Sequence, residues 1–278
     1  MAAAGTPLVE LFATYKQDIA QVLTNLGQFL KANPDYNIVI TKDFALDELL
    51  VTKYLLSGPK RMKKSSDTLV GVVTEAIINT FKFRLEHHEL LLKVARMDNE
   101  AIMNNGYLPV ITGGLMGSEI ISVCPIGAVD LRDLVKPFDT SLEFALAGLQ
   151  SSEKARMFID QESRRTGKLV KILSVTDLTG LSLMRLSSPK ALQGMGTVSA
   201  WNDDHNPQFL SKTCLVNAPS LFGAMLKMAK PFFSKSTMDK MLLCKRSGGK
   251  KDINDCPFLK KYGAEVGKHF PQSVGGTA

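Results

Sequence analysis

Between residues 227 and 251 the chain carries Lys227, Lys230, Lys235, Lys240, Lys245, Arg246, Lys250 and Lys251 against a single acid, Asp239. Large apolar side chains run through the start of the same stretch. Leu221, Phe222, Met225, Leu226 and Ala229 fall on one stripe of a helix that Ser220 can cap and Pro231 ends. Lys227 and Lys230 lie off that stripe, and Phe232 and Phe233 sit beside lysines just past it. A helix that is apolar on one side, basic on the other and stopped by proline suits two tasks: lying against an anionic membrane, or closing an apolar cavity. The expected lid and pocket residues are Leu221, Phe222, Met225, Leu226, Phe232 and Phe233, and the expected docking cations are Lys227, Lys230 and Lys235. Aromatics interleaved for base stacking are missing, so the cluster does not point to nucleic acid.

Other candidate chemistries are weaker. His87-His88-Glu89 falls on an expected helix, where adjacent side chains diverge by about 100° and form no common ligand face. Ser247-Gly248-Gly249-Lys250 lacks the spacing of a phosphate loop and reads as an exposed basic turn. No G-x-S-x-G elbow occurs, and Asp177 has only His205 as a possible catalytic partner. A hydrolase or kinase therefore lacks its nucleophile or phosphate loop, and no enzyme is expected. Cys124, Cys214, Cys244 and Cys256 show no C-x-x-C spacing, which favours free thiols in a reducing compartment over metal or disulfide. The net charge of +7 selects acidic partners in general, and the location of the lysines selects a membrane among them. No apolar run of about 18 residues exists to cross a bilayer. The start, MAAAGTPLVELF, has neither a basic n-region nor a long apolar h-region, so a secretory signal is not expected.

The elements that must position these residues change character along the chain. Residues 8–30 carry an amphipathic helical pattern broken by Asn33-Pro34. A second helix is expected over about 46–56, ended by Ser57-Gly58-Pro59, and a third from Ser66 or Asp67 to about Met97. The third puts Leu69, Val73, Ile77, Phe81 and Leu85 on one stripe. From Tyr107 on, strand-like stretches at 119–124, 168–177, 213–216 and 241–245 alternate with helical ones at 141–163 and 182–192. That alternation predicts an α/β fold: an N-terminal helical bundle over 1–98, then a lobe over 99–278 with a mostly parallel sheet. The Gly- and Asn-containing stretch 99–117 reads as the link between them.

Residues 212–243 resemble the signature of the CRAL-TRIO lipid-binding family. The matching pieces are an apolar strand ending in Asn217-Ala218-Pro219, the aromatic Phe222, then Lys230-Pro231-Phe232, then Thr237 with Lys240. Further matches are the VCPIGAVDL run of 123–131, the turn Asp177-Leu178-Thr179-Gly180, and the closing Phe270-Pro271-Gln272-Ser273-Val274-Gly275-Gly276. The resemblance implies helices enclosing a hydrophobic lipid pocket, no cofactor beyond the bound lipid, and a monomeric cytoplasmic protein that touches membranes transiently. It implies transfer of a phospholipid such as phosphatidylinositol between membranes, or lipid sensing as the recruitment module of a larger signalling protein.

The resemblance also assigns headgroup residues. Thr237 and Lys240 match the pair that reaches a lipid phosphate, a hydroxyl and a point charge suited to an anion. Gln208 and Phe209 stand where phosphatidylinositol binders carry an acid and a base, so Gln208 keeps only hydrogen bonding there. Ile172 and Ser174 match the hydroxyl pair used for choline, and Ser174 alone keeps a hydroxyl. The basic residue expected after the second helix is Lys53, Lys60 or Arg61. These departures imply looser headgroup selectivity.

Overall fold

The computed structural model describes residues 2–96, 111–219, 222–232 and 235–245. In chain order the first third comprises α1 (Leu8–Thr14), α2 (Lys16–Ala32), α3 (Glu48–Ser57), α4 (Leu69–Glu86) and α5 (His88–Arg96). Then come β1 (Ile111–Met116), β2 (Glu119–Cys124), α6 (Leu131–Leu134), α7 (Ser141–Thr166), β3 (Lys171–Asp177), α8 (Leu183–Leu186) and α9 (Pro189–His205). The chain continues through β4 (Leu210–Ala218), α10 (Phe222–Ala229), α11 (Lys235–Met238) and β5 (Met241–Lys245). These elements form two compact units that are not contiguous in sequence. The first joins the residues up to 96 with Ser152–Val170 and Trp201–Phe209; the second holds 111–151, Lys171–Ala200 and the residues from Leu210 on.

The first unit is helical and its core is the expected stripe. Val73, Ile77 and Phe81 of α4 are fully buried, against Val22 and Leu26 of α2 and Val51, Tyr54 and Leu55 of α3. Local sequence sets the helix starts. Asp47 Oδ1 accepts the Leu50 N–H at 3.0 Å and Thr68 Oγ1 accepts the Gly71 N–H at 3.1 Å, each satisfying an orphan donor of the first turn. Two expected helices are interrupted. The pattern at 8–30 breaks at Tyr15 (φ −107°), and the long third helix breaks at His87, also at φ −107°.

A buried ionic chain runs through this unit. Lys53 Nζ meets Asp160 Oδ1 at 2.7 Å, and Arg156 Nη1 meets Asp160 Oδ2 at 2.8 Å. Arg156 Nη2 and Arg84 Nη2 then converge on Glu153 Oε1 at 2.7 and 2.9 Å. The Phe44 ring lies under both guanidiniums, 3.9 Å from that of Arg84 and 5.3 Å from that of Arg156. Burial alone would raise the Glu153 carboxyl, but the charges of Arg156 and Arg84 outweigh it and hold it well below the carboxylate range. Asp160 is lowered in the same way, with Lys53 and Arg156 overcoming its burial.

The second unit contains a five-stranded sheet in the order β1-β2-β3-β4-β5. Strands β2 to β5 are parallel and β1 pairs antiparallel on the edge, so the mostly parallel sheet is as expected. Two expectations are corrected. The link over 99–117 contains β1 at its end, because Thr112, Gly114 and Leu115 pair with Ser122, Ile121 and Ile120 despite the glycines. The helix expected over 182–192 is two: α8 ends before Ser187-Ser188, and α9 starts at Pro189. A proline disfavours the helical region for the residue before it and is favoured in a first turn, and Ser188 Oγ accepts the Ala191 N–H at 3.3 Å. α9 then runs on to His205 through Gly194 and Gly196, against local propensity. At Gly194 a Cβ would stand 2.6 Å from the Phe144 ring and 2.9 Å from the Ser141 carbonyl, so glycine lets the two segments approach.

Candidate functional site

The two faces of the sheet in the second unit are unlike. On one face Ile121, Val123, Leu173, Val175, Cys214 and Val216 are no more than 3% exposed, with Lys212 and Leu242 of the same face partly accessible. The register puts Ser122, Ser174 and Thr213 in one row of the other face, and Cys124, Thr176 and Leu215 in the next. There Ser122, Cys124, Ser174, Thr176 and Met241 stay partly accessible. Alternation along each strand therefore gives one face of buried apolar side chains and another on which partly accessible small hydroxyls and a thiol lie among the buried Ile120, Ile172 and Leu215. Burial pushes the Cys124 thiol up to about 12, and Cys214 also to about 12, so both are inert thiols.

At the carboxyl ends of these strands, three motifs distant in sequence lock together. Asn217 has φ +56°, a left-handed conformation that asparagine tolerates, and its Nδ2 donates to Asp177 Oδ1 at 2.9 Å. The same oxygen accepts the Thr179 N–H at 3.0 Å and the Thr179 hydroxyl at 2.8 Å. With three donors on one oxygen, Asp177 is a turn-former. Gly180 takes φ +81°, and a Cβ on Gly127 would overlap the backbone of Leu178 and Thr179. Arg185 Nη1 closes the junction by donating to the Gly127 and Gly180 carbonyls at 3.1 and 3.3 Å. The Gly-Ala-Val-Asp, Asp-Leu-x-Gly and Asn-Ala-Pro pieces are thus one backbone joint.

From that joint the chain enters α10. The Phe222 N–H bonds the Pro219 carbonyl at 2.9 Å. Phe222 is buried at 7% exposure, and Leu226 one turn on packs against the same apolar cluster. That cluster includes Leu215, Cys124 and Met241 from the open face of the sheet, with Leu192 and Met195 of α9. Lys227, Lys230 and Lys235 are exposed. Leu221 and Phe233 lie outside the described residues, as do the Ser247-Gly248-Gly249-Lys250 turn and the closing Gly-Gly run; of Met225 and Phe232 only the backbone is described.

The four headgroup candidates divide between the units. Thr237 and Lys240 share one turn, in which the Lys240 N–H bonds the Thr237 carbonyl at 3.1 Å. The Thr237 hydroxyl is 3.1 Å from the Ser199 hydroxyl of α9, and Lys240 is 9% exposed at the foot of β5. Ser174 is at the middle of β3 in the same unit. Gln208 belongs to the first unit, buried at 6% exposure and strained at φ +63°.

Of the three basic candidates, Lys53 is taken by Asp160, and Arg61 donates from Nη2 to the Asp203 and Asp204 carbonyls at 2.6 and 3.0 Å. Lys60 is exposed. His87 marks a helix break with its ring against Phe83, and no group of metal-ligating side chains occurs among the described residues. His205, singled out in the sequence only as a possible partner of Asp177, instead stacks its ring on Phe83 at 4.1 Å while Nδ1 sits 3.0 Å from the Thr80 hydroxyl. No spacing signal links residues 80, 83 and 205. No described helix is long and apolar enough to cross a membrane.

Comparison with known proteins agrees with this geometry. A family model described as the CRAL/TRIO domain matches residues 130–263. The CRAL-TRIO domain-containing protein YKL091C of Saccharomyces cerevisiae is 29% identical over 113 residues, 39% of this chain. The match spans 36% of that relative's own length. The crystal structure of Sfh5 is similar with a TM-score of 0.54 and 15% identity, covering 81% of this chain and 80% of that one, which is a likeness of fold. The matched stretch, residues 130–263, runs from the Asp130 cap of α6 through the Asn217 joint and the α10 segment, and over it the chain is similar to the CRAL/TRIO domain.

Proposed function

We propose that the chain is a non-enzymatic carrier that holds one lipid over the open face of its sheet and exchanges it at membranes. The observation that carries this reading is the make-up of the sheet: one face is mostly buried apolar side chains, while the other keeps the small polar Ser122, Cys124, Ser174 and Thr176 partly accessible, in the apolar surroundings that α10 packs against. Each acyl CH₂ left in water costs about 0.8 kcal/mol, so two chains of roughly 16 carbons need on the order of 25 kcal/mol of shelter. Moving them from bilayer to an equally apolar pocket costs little, which leaves selectivity to the headgroup. Thr237 and Lys240 take the phosphate, with Ser174 as a further hydroxyl in the same unit. The exposed Lys227, Lys230 and Lys235 bring α10 to an anionic surface, while Phe222 and Leu226 release from the cluster as the lid opens. The ligand class is a phospholipid, with phosphatidylinositol as the leading member.

Mass spectrometry of lipid extracted from the purified protein, with vesicle exchange, tests the reading. A charge-assisted contact is worth about 1.5–3 kcal/mol, so Lys240→Ala should weaken retention of a phospholipid roughly ten- to a hundredfold. A neutral ligand whose retention is indifferent to Lys240→Ala would overturn the phosphate site. Absence of any bound or exchanged lipid would sink the carrier.

A further inference from the structure

The loop between α3 and α4 reads Lys60-Arg61-Met62-Lys63-Lys64-Ser65-Ser66, and all but Arg61 are exposed. Arg61 anchors it through the two carbonyls at Asp203 and Asp204, with its guanidinium 5.8 Å over the Tyr54 ring. The Arg61 N–H bonds the Gly58 carbonyl at 2.8 Å, continuing the short helix Gly58–Lys60. At the far end Asp67 Oδ2 accepts the Lys64 and Lys63 N–H groups at 2.8 and 2.7 Å. Those two bonds hold the Asp67 carboxyl below its ordinary range and turn it onto the backbone. Asp67 is the only acid between Gly58 and Glu75. Among the described residues no acid pairs with Lys60, Lys63 or Lys64. Met62 stands among them at 40% exposure.

A braced turn that presents unpaired ammonium groups around one exposed, flexible thioether matches the chemistry of an anionic bilayer surface. Lysines sit at the headgroups and a short apolar chain enters the interface. Nucleic acid is a poorer fit, because the loop has no aromatic ring for bases to stack on and no free arginine fork. From this we infer that the 60–64 loop of the first unit is a membrane contact for anionic lipid surfaces, separate from the lysines of α10 and independent of which lipid the second unit holds.

The test is co-sedimentation of the full chain with phosphatidylcholine vesicles, with and without phosphatidylserine. At about 1 kcal/mol per lysine near the surface, Lys63→Ala with Lys64→Ala should weaken binding to the phosphatidylserine vesicles about thirtyfold, and salt should abolish the difference. Met62→Ser should weaken binding a few-fold without changing its salt dependence. Lys227→Glu with Lys230→Glu serves as the comparison and should leave the loop's effect in place. Trp201 fluorescence checks folding, and extracted-lipid mass spectrometry reads the carrier separately. Unchanged vesicle binding in the Lys63/Lys64 variant overturns the inference, as does binding of a single-stranded oligonucleotide in preference to the vesicles. Loss of vesicle binding with the bound lipid intact supports it.

Discussion

Replacing Glu153 by glutamine should be the most damaging isosteric change in the first unit. Its carboxylate accepts four hydrogen bonds: from Arg84 Nη1 and Nη2 at 3.1 and 2.9 Å, and from Arg156 Nε and Nη2 at 2.9 and 2.7 Å. Glutamine keeps one acceptor oxygen and turns an NH₂ toward two N–H donors. The buried chain of Lys53, Arg84 and Arg156 against Glu153 and Asp160 then goes from one excess positive charge to two. Breaking a buried pair in this way costs about 3–5 kcal/mol, roughly a fifth or more of the 5–15 kcal/mol stability of a typical domain. Arg156→Met is the informative control. It removes the Arg156 bonds to Glu153, Asp160 and the Asp43 carbonyl and the Phe44 contact, but it leaves Glu153 with Arg84 and Asp160 with Lys53, so the remaining charges balance. That change should cost about 2 kcal/mol. The assay is urea unfolding followed by Trp201, the only tryptophan, which lies in the same unit. The folded-state pKa of Glu153 is depressed, so its contribution is present above the unfolded value, about 4.3, and is lost as pH falls below it. Glu153→Gln should therefore flatten the acid limb of the stability curve. Equal costs for the two variants, or a larger cost for Arg156→Met, would refute the charge argument.

The remaining predictions concern the joint and the histidine. Gly127→Ala should cost several kcal/mol or prevent folding, because the added methyl meets the Leu178 and Thr179 backbone, which cannot rotate away; a soluble variant melting within a few degrees of the parent would contradict this. His205 is lowered to about 4 by burial first and then by Arg61, His87 and Arg84. Its contribution, up to about 3 kcal/mol, is present above pH 6.5 and lost as pH falls toward 4, a window above that of Glu153. His205→Gln should remove that slope, and a stability curve of unchanged shape between those pH values would count against it.

Periodicity made the helical first third and the parallel strands legible, because a stripe such as Val73, Ile77 and Phe81 has one way to be buried. The pattern from Asn217 to Lys240 was enough to bring out the resemblance to the CRAL/TRIO domain, whose model matches residues 130–263, since side-chain types at fixed offsets are local information. Boundaries at Tyr15, His87 and Pro189 were less legible, and β1 was hidden by its glycines, because pairing with β2 overrides local preference. What tertiary structure alone decided is who meets whom across long separations. Asp177 finds Asn217, Glu153 gathers Arg84, and Lys53 is taken by Asp160 while Lys63 and Lys64 stay exposed. A lysine looks the same in sequence whether it is buried in an ion pair or presented to solvent. Only the packing around it sets the desolvation and the partner that separate the two.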